Sequence, residues 1–335
     1  MLIDDRFDDL VASLGGFYRT WYVHVGIELG FFSRLREAGP SGMTQEELGR
    51  RTGTEPELVG RWAWGAHAHD LVEIDDGRIR VPADVAQLLL DADRSEYLGG
   101  LFQFAAVASL DYGIVPDIFR TGRPLPARPD RYRAAIERLT LQDIGVFFQE
   151  VLAALPQLIL DLRPGSRILD VHCGGGRWLI AMARRFPGTF LTGIEFEPDS
   201  VVRARANVAT AELADRITIE QGDVAAVGHA GEVELAYFQY ALHVLPDPAG
   251  ALRSAWSAVQ PGGWLVALDW YLPSDPEELR TRLGELIAGT QLDELVGGHR
   301  LVTRSEALGW FADAGLPMPE LIDLPSGASA IVVRR

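Results

Sequence analysis

The sequence predicts an α/β protein, with a doubly wound, Rossmann-like sheet in its C-terminal half and a mainly helical block before it. Three observations carry this. After Pro164-Gly165, short apolar strand signals alternate with helical segments, the texture of a parallel sheet covered on both faces. The turn after the first of these strands is rich in glycine and opens a helix. Ahead of residue 95 the order is helix, helix, then two short strands around a tight turn, which is the winged-helix pattern.

Taken in order, Trp21, Val25, Leu29 and Phe32 recur at helical spacing and predict one helix from Phe17 to about Ala38. Thr44 before Gln45-Glu46-Glu47 is an N-cap with acids in the first turn, and Arg50-Arg51-Thr52-Gly53 has the cations and glycine of a helix end. A second helix starts at Glu55-Pro56 and runs through Leu58 and Trp62 to His69. Leu71–Ile74 and Arg78–Val81 read as strands joined at Asp75-Asp76-Gly77. Residues 96–162 read as an apolar helical cap broken by the proline-rich loop 121–129. Beyond it, strands are predicted at Arg167–Val171, Thr189–Ile194, Ile217–Gln221, Val233–Phe238 and Trp264–Asp269, with a last pair near Glu320–Leu324 and Ala330–Arg334. The expected organisation is therefore 1–95, 96–162 and 163–335.

Composition narrows the chemistry. Of 335 residues, 47% are hydrophobic, which is enough for one large or two medium cores. All 31 strong cations are arginine. The absence of lysine excludes a Schiff-base lysine and a phosphate-loop lysine. Against them stand 47 acids, for a net charge of −16. Residues 1–95 hold ten arginines against ten aspartates and seven glutamates, so the block whose pattern suggests DNA binding carries −7. Affinity for phosphate backbones comes from clustered positive charge, so nucleic acid is disfavoured as a partner, and dimerisation or a substrate lid is the expected role. The single cysteine, Cys173, makes no internal disulfide, the N-terminus has no basic region leading into an apolar one, and no stretch approaches the ~18 apolar residues of a membrane helix. A cytoplasmic protein is expected.

In doubly wound sheets the ligand sits at the carboxyl ends of the strands where the strand order reverses. Here that turn is Asp170-Val171-His172-Cys173-Gly174-Gly175-Gly176. Nineteen residues after Gly176, at the end of the second strand, stands Glu195, an acid placed to accept from ribose hydroxyls. At the end of the third, Asp223 follows Gly222, placed to accept from an adenine amine.

These stretches, with Ala241-Leu242-His243-Val244-Leu245-Pro246-Asp247-Pro248 and Val259-Gln260-Pro261-Gly262-Gly263, resemble the class I S-adenosylmethionine-dependent methyltransferases over residues 160–335. With the N-terminal block, the whole chain looks like the two-domain small-molecule methyltransferases, whose first domain dimerises and helps close the substrate pocket. The resemblance implies a seven-stranded sheet and S-adenosylmethionine as cofactor. It implies that Asp170, Gly174 and Gly176 lie against the cofactor's methionine part or the turn that holds it, that Glu195 binds ribose, that Phe196 stacks near the adenine, that Asp223 and the Val224 backbone read the adenine, and that Gln239 completes the set. A nicotinamide dehydrogenase would ask for a third glycine at position 179, which is leucine. One departure stands out. Two residues before Gly174 the family usually has a small residue, most often glycine, and this chain has His172, whose side chain would project toward the cofactor's carboxylate end, so that either the backbone is displaced, or the imidazole contacts the carboxylate, or binding is weakened. A metal at His172-Cys173 is not expected, because adjacent residues at a strand end point to opposite faces.

For a hydroxyl acceptor the reaction needs a base. His243 follows the fourth strand, and a histidine at the matching place is the base in natural-product O-methyltransferases; equally, many relatives carry it without using it. His299, in Gly297-Gly298-His299-Arg300, is the second candidate, and Asp269 with Trp270 and Tyr271 is placed to line an acceptor pocket or to hydrogen-bond structurally. His67 and His69, two apart on a helix, diverge too far to share a metal. The expected function is methyl transfer to a small, largely apolar metabolite, O-methylation first, by a homodimer. Two alternatives remain at this stage: a winged-helix ligand sensor with a degenerate methyltransferase domain, and an enzyme of this fold that catalyses a non-methylating reaction.

Overall fold

The computed structural model describes residues 3–335. The chain forms two compact units: one runs up to Gly113 and takes in Arg128–Gly145, and the other comprises Ile114–Ala127 and Val146–Arg335. The stretch 96–162 is thus shared between them.

The first unit opens with helices α1 (Ile3–Glu28), α2 (Phe31–Ala38), α3 (Gln45–Thr52) and α4 (Pro56–Ala68), followed by strands β1 (Glu73–Asp75) and β2 (Arg78–Arg80). The single helix expected over Phe17–Ala38 is corrected to two. Gly30, at φ 74°, takes a left-handed conformation that breaks the chain between α1 and α2, and α1 begins at Ile3, well before the Phe17 that the apolar periodicity suggested. The cap on α3 is a reciprocal box. The Glu47 N–H donates to Thr44 Oγ1 at 3.2 Å and the Thr44 N–H to Glu47 Oε2 at 2.9 Å. Asp76 (φ 47°) and Gly77 (φ 71°) are both left-handed, as the two-residue turn of a twisted hairpin requires. Phe31, Phe32, Leu35, Leu48, Trp62 and Ile79 are buried together and form this unit's core.

The second unit contains β3 (Arg167–Val171), β4 (Phe190–Glu195), β5 (Ile217–Gln221), β6 (Val233–Gln239), β7 (Val259–Asp269), β8 (Glu320–Asp323) and β9 (Ser329–Arg334). They make one seven-stranded sheet in the order β5-β4-β3-β6-β7-β9-β8. The first five strands are parallel, and β9 pairs antiparallel with both β7 and β8. Strand order reverses between β3 and β6, so their carboxyl ends border the crevice in which ligands of such sheets bind. Near-continuous apolar strands such as Ile168–Val171 follow from burial on both faces. Trp178 and Tyr237 stack at a ring separation of 4.3 Å, and Phe147 meets both edge-on at 5.0 and 4.8 Å.

Candidate functional site

The turn after β3 is held by the carbonyl of Ile194, which accepts from the N–H groups of His172 and Cys173 at 2.8 and 3.0 Å. His172, Gly174 and Gly176 all have positive φ, at 67°, 50° and 71°. Glycine suits this; histidine is strained by it. A Cβ on Gly174 would meet nothing within 4 Å, so the backbone there faces open space, while the helix Arg177–Arg185 begins just beyond and presents its N-terminus. The thiol of Cys173 points the other way and packs on Gly193, where any side chain would lie 2.6 Å from the sulfur. Burial, with Asp170 and Glu195 nearby, holds that thiol well above its ordinary range.

Glu195 closes β4 and is 1% exposed. Its Oε1 accepts from the Glu197 N–H at 2.9 Å and its Oε2 from the Gly174 N–H at 3.0 Å. His172 Nδ1 lies 3.0 Å from the same Oε2, at ion-pair distance though off the line of a good hydrogen bond. Burial alone would raise the Glu195 carboxyl; His172 and the two N–H donors more than reverse this and lower it. Asp170, wholly buried, is pushed the other way, to about 8, by desolvation and by the charge of Glu195. The imidazole of His172 lies flat against the ring of Phe196, with centroids 5.2 Å apart and planes at 11°.

Beside this pair opens a cleft of 550 Å³ lined by Phe196, Gln221, Gly222, Asp223, Val224, Leu245 and Pro246. Asp223 stands at its edge with Oδ1 accepting from the Ala225 N–H at 2.9 Å, and Val224 is buried behind it. The structure thus brings Phe196, Asp223 and Val224 to one cleft. Gln239 ends β6 half-buried, with no partner for its Oε1. Gln221, Leu245 and Pro246 were not singled out in the sequence, because nothing in their spacing marks them. Their place comes from the ends of β5 and β6 opening onto the same gap.

At the next strand ends, His243 lies in a short turn after β6 and Asp269 is the last residue of β7. His243 Nδ1 is 2.7 Å from Asp269 Oδ2, and Nε2 is 3.6 Å from Glu294 Oε1 on the helix Arg282–Gly297. The His243 and Asp269 side chains are 7% and 3% exposed, and Glu294 is 19%. Burial would lower the imidazole; the charge and hydrogen bond of Asp269, helped by Glu294, carry it instead to about 10. Trp270 and Tyr271 follow at once, and both the Trp270 indole N–H and the buried Tyr271 hydroxyl are without a hydrogen-bond partner. Glu294 had no signal in the sequence, being one acid in an otherwise ordinary amphipathic helix.

His299 is placed differently. It is exposed at the end of the same helix, where its N–H donates to the Glu294 carbonyl at 2.8 Å. His67 hydrogen-bonds through Nδ1 with the Val72 carbonyl, whereas His69 packs on Tyr22, so the two face different neighbours.

Residues 168–263 match the family model described as a methyltransferase domain. Over 328 residues the chain is 28% identical to the aclacinomycin 10-hydroxylase of Streptomyces purpurascens, spanning 94% of this chain and 86% of that one. It is 25% identical to the 3-amino-4-hydroxybenzoate 4-O-methyltransferase of Streptomyces cremeus, over 78% of this chain and 72% of the other. Among solved structures it is similar to human N-acetylserotonin methyltransferase in complex with S-adenosylmethionine, at TM-score 0.74 and 18% identity over 98% and 97% of the two chains.

Proposed function

We propose that this protein, a class I S-adenosylmethionine-dependent methyltransferase by its domain match and fold, methylates a hydroxyl of a small, largely apolar metabolite, with His243 as the base. The observation that carries the reading is the adjacency of two features on one sheet edge: a nucleoside-sized cleft at the ends of β4 and β5, and a buried histidine–carboxylate group at the ends of β6 and β7.

The residues present fit the cofactor. Gly174 offers open backbone where a ligand can approach closely, Asp223 and the Val224 backbone offer an acceptor and a donor for an adenine edge, and Phe196 offers a ring face. Bound there, S-adenosylmethionine supplies an electrophilic methyl group on a sulfonium. The chain's own part is to position the acceptor and to take its proton. Asp269 holds a proton on His243 Nδ1, which fixes the tautomer whose Nε2 lone pair would take the acceptor's hydroxyl proton. With its pKa near 10, the imidazole is a strong base that is mostly protonated at neutral pH. Positioning therefore supplies most of the acceleration at pH 7.

The N-terminal unit we assign to pairing of two copies. Phe7, Leu10, Leu14, Phe17 and Tyr18 recur at helical spacing along α1 and are each at least 50% exposed. Such a stripe is stable in water when a second apolar face covers it. The helices α3 and α4 with β1 and β2 are read as a winged helix serving this role rather than DNA, given its charge.

Calorimetric titration with S-adenosylhomocysteine tests the cofactor reading. Binding is expected, with Asp223→Ala weaker by about tenfold for the loss of one hydrogen bond to the ligand; no heat at millimolar ligand overturns it. A second reading, a non-methylating reaction in the same cleft, is favoured by one observation: the relative that spans nearly the whole chain is named a hydroxylase. Methyl transfer converts one cofactor to S-adenosylhomocysteine per product formed, so turnover without its accumulation would select this second reading.

A further inference from the structure

We propose that His172 is a gate on Glu195: its imidazole covers the ribose-binding acid, and a nucleoside cofactor gains that acid only when the ring swings off Phe196. The inference rests on the reading of the cleft as the S-adenosylmethionine site.

Glu195 has the position of a ribose acceptor but is 1% exposed, so no hydroxyl reaches it in this arrangement. What covers it on the turn side is His172, 3.0 Å away and lying flat on Phe196, which itself lines the cleft. Three interactions hold the closed state. The imidazole meets a carboxylate, its face stacks on an aromatic ring, and its backbone is fixed at φ 67° by the N–H donated to the Ile194 carbonyl. The first two belong to the side chain alone, so the ring can leave by side-chain rotation while the backbone bond to Ile194 in β4 stays in place. The side chain is 23% exposed. Glycine at this position would remove the imidazole from Glu195 Oε2 and would adopt the positive φ without strain. The histidine thus makes the closed state the resting one.

A gate open for about one-tenth of the time weakens apparent affinity about tenfold. Removing it is expected to tighten S-adenosylhomocysteine binding by that factor in His172→Gly, measured by calorimetric titration of the full-length protein. His172→Asn, which tolerates left-handed backbone and keeps a donor near Glu195, is expected to fall between wild type and the glycine variant. The control ligand is 2′,3′-dideoxyadenosine, which carries the adenine but lacks the hydroxyls that Glu195 would accept from. Its affinity is expected to stay the same in all three proteins, while adenosine follows S-adenosylhomocysteine. Equal or weaker S-adenosylhomocysteine binding by His172→Gly overturns the gate alone. Equal tightening of the dideoxy compound also overturns it, because the histidine would then be blocking the cleft as a whole. No heat from wild type or variant overturns the cofactor reading and the gate with it.

Discussion

His243 Nδ1 and Asp269 Oδ2 stand 2.7 Å apart at the carboxyl ends of two neighbouring parallel strands, both side chains almost wholly buried. The pair joins the end of β6 to the end of β7 and, through Glu294, to the helix above them. An imidazolium between two carboxylates leaves one net negative charge in the group, and an imidazole leaves two. This is why folding favours the proton.

That preference has a pH signature. The folded-state value of about 10 lies above the ordinary 6.5, so the contribution of His243 to stability is complete below about pH 6.5 and fades as pH rises through 10. His243→Asn breaks a buried pair and is expected to lose about 3 kcal/mol at pH 6. Urea unfolding of both proteins between pH 6 and 10 should show the gap narrowing toward the alkaline end; a gap constant over that range would contradict the assignment.

Asp269→Asn removes the largest upward influence on His243 and leaves Glu294 alone against burial, so the imidazole is expected to fall from about 10. The alkaline rise expected in the wild-type rate profile should then move to lower pH, with the maximal rate lower because the weaker base drives proton transfer less. An NMR titration of the His243 ring protons checks the shift without needing the acceptor.

Gly193 has no room for a methyl group. A Cβ there would sit 2.6 Å from both Cys173 Sγ and Leu179 Cδ1, at the point where β4 passes beneath the glycine turn. Gly193→Ala is expected to destabilise by about 2 kcal/mol through overpacking, read as a lower urea midpoint with an unchanged slope. Adding Cys173→Ala should recover part of this, since the sulfur is removed while Leu179 Cδ1 at 2.6 Å and the position-173 Cβ at 3.0 Å still crowd the site.

Placing glutamate at Phe7 and Leu14 puts charge into the exposed stripe of α1 without touching either core. Light scattering is expected to give a dimer for the wild type and a monomer for the double variant, with the circular dichroism of both alike. A dimeric double variant would remove α1 as the pairing surface.

The sequence by itself determined the local devices and their order. The Thr44 cap, the Asp76-Gly77 turn, the seven strands and the glycine turn were legible because each depends on residues within a few positions of one another, where propensity and backbone sterics decide. It misread α1 and α2 as one helix because periodicity continues across Gly30, whereas a left-handed φ stops the chain there. Tertiary structure alone decided which distant side chains meet. The register that pairs Val171 with Ile194 sets the next residues, His172 and Glu195, side by side, and the pairing of Gln239 with Leu268 brings the turn of His243 to Asp269. Those contacts span 23 and 26 residues, and their energetics come from shared burial, which raises or lowers a charge according to neighbours that only the folded sheet supplies. His172 shows the division most clearly. Its departure from glycine was visible in the chain, but that it covers this protein's own carboxylate became visible only once β3 and β4 lay together.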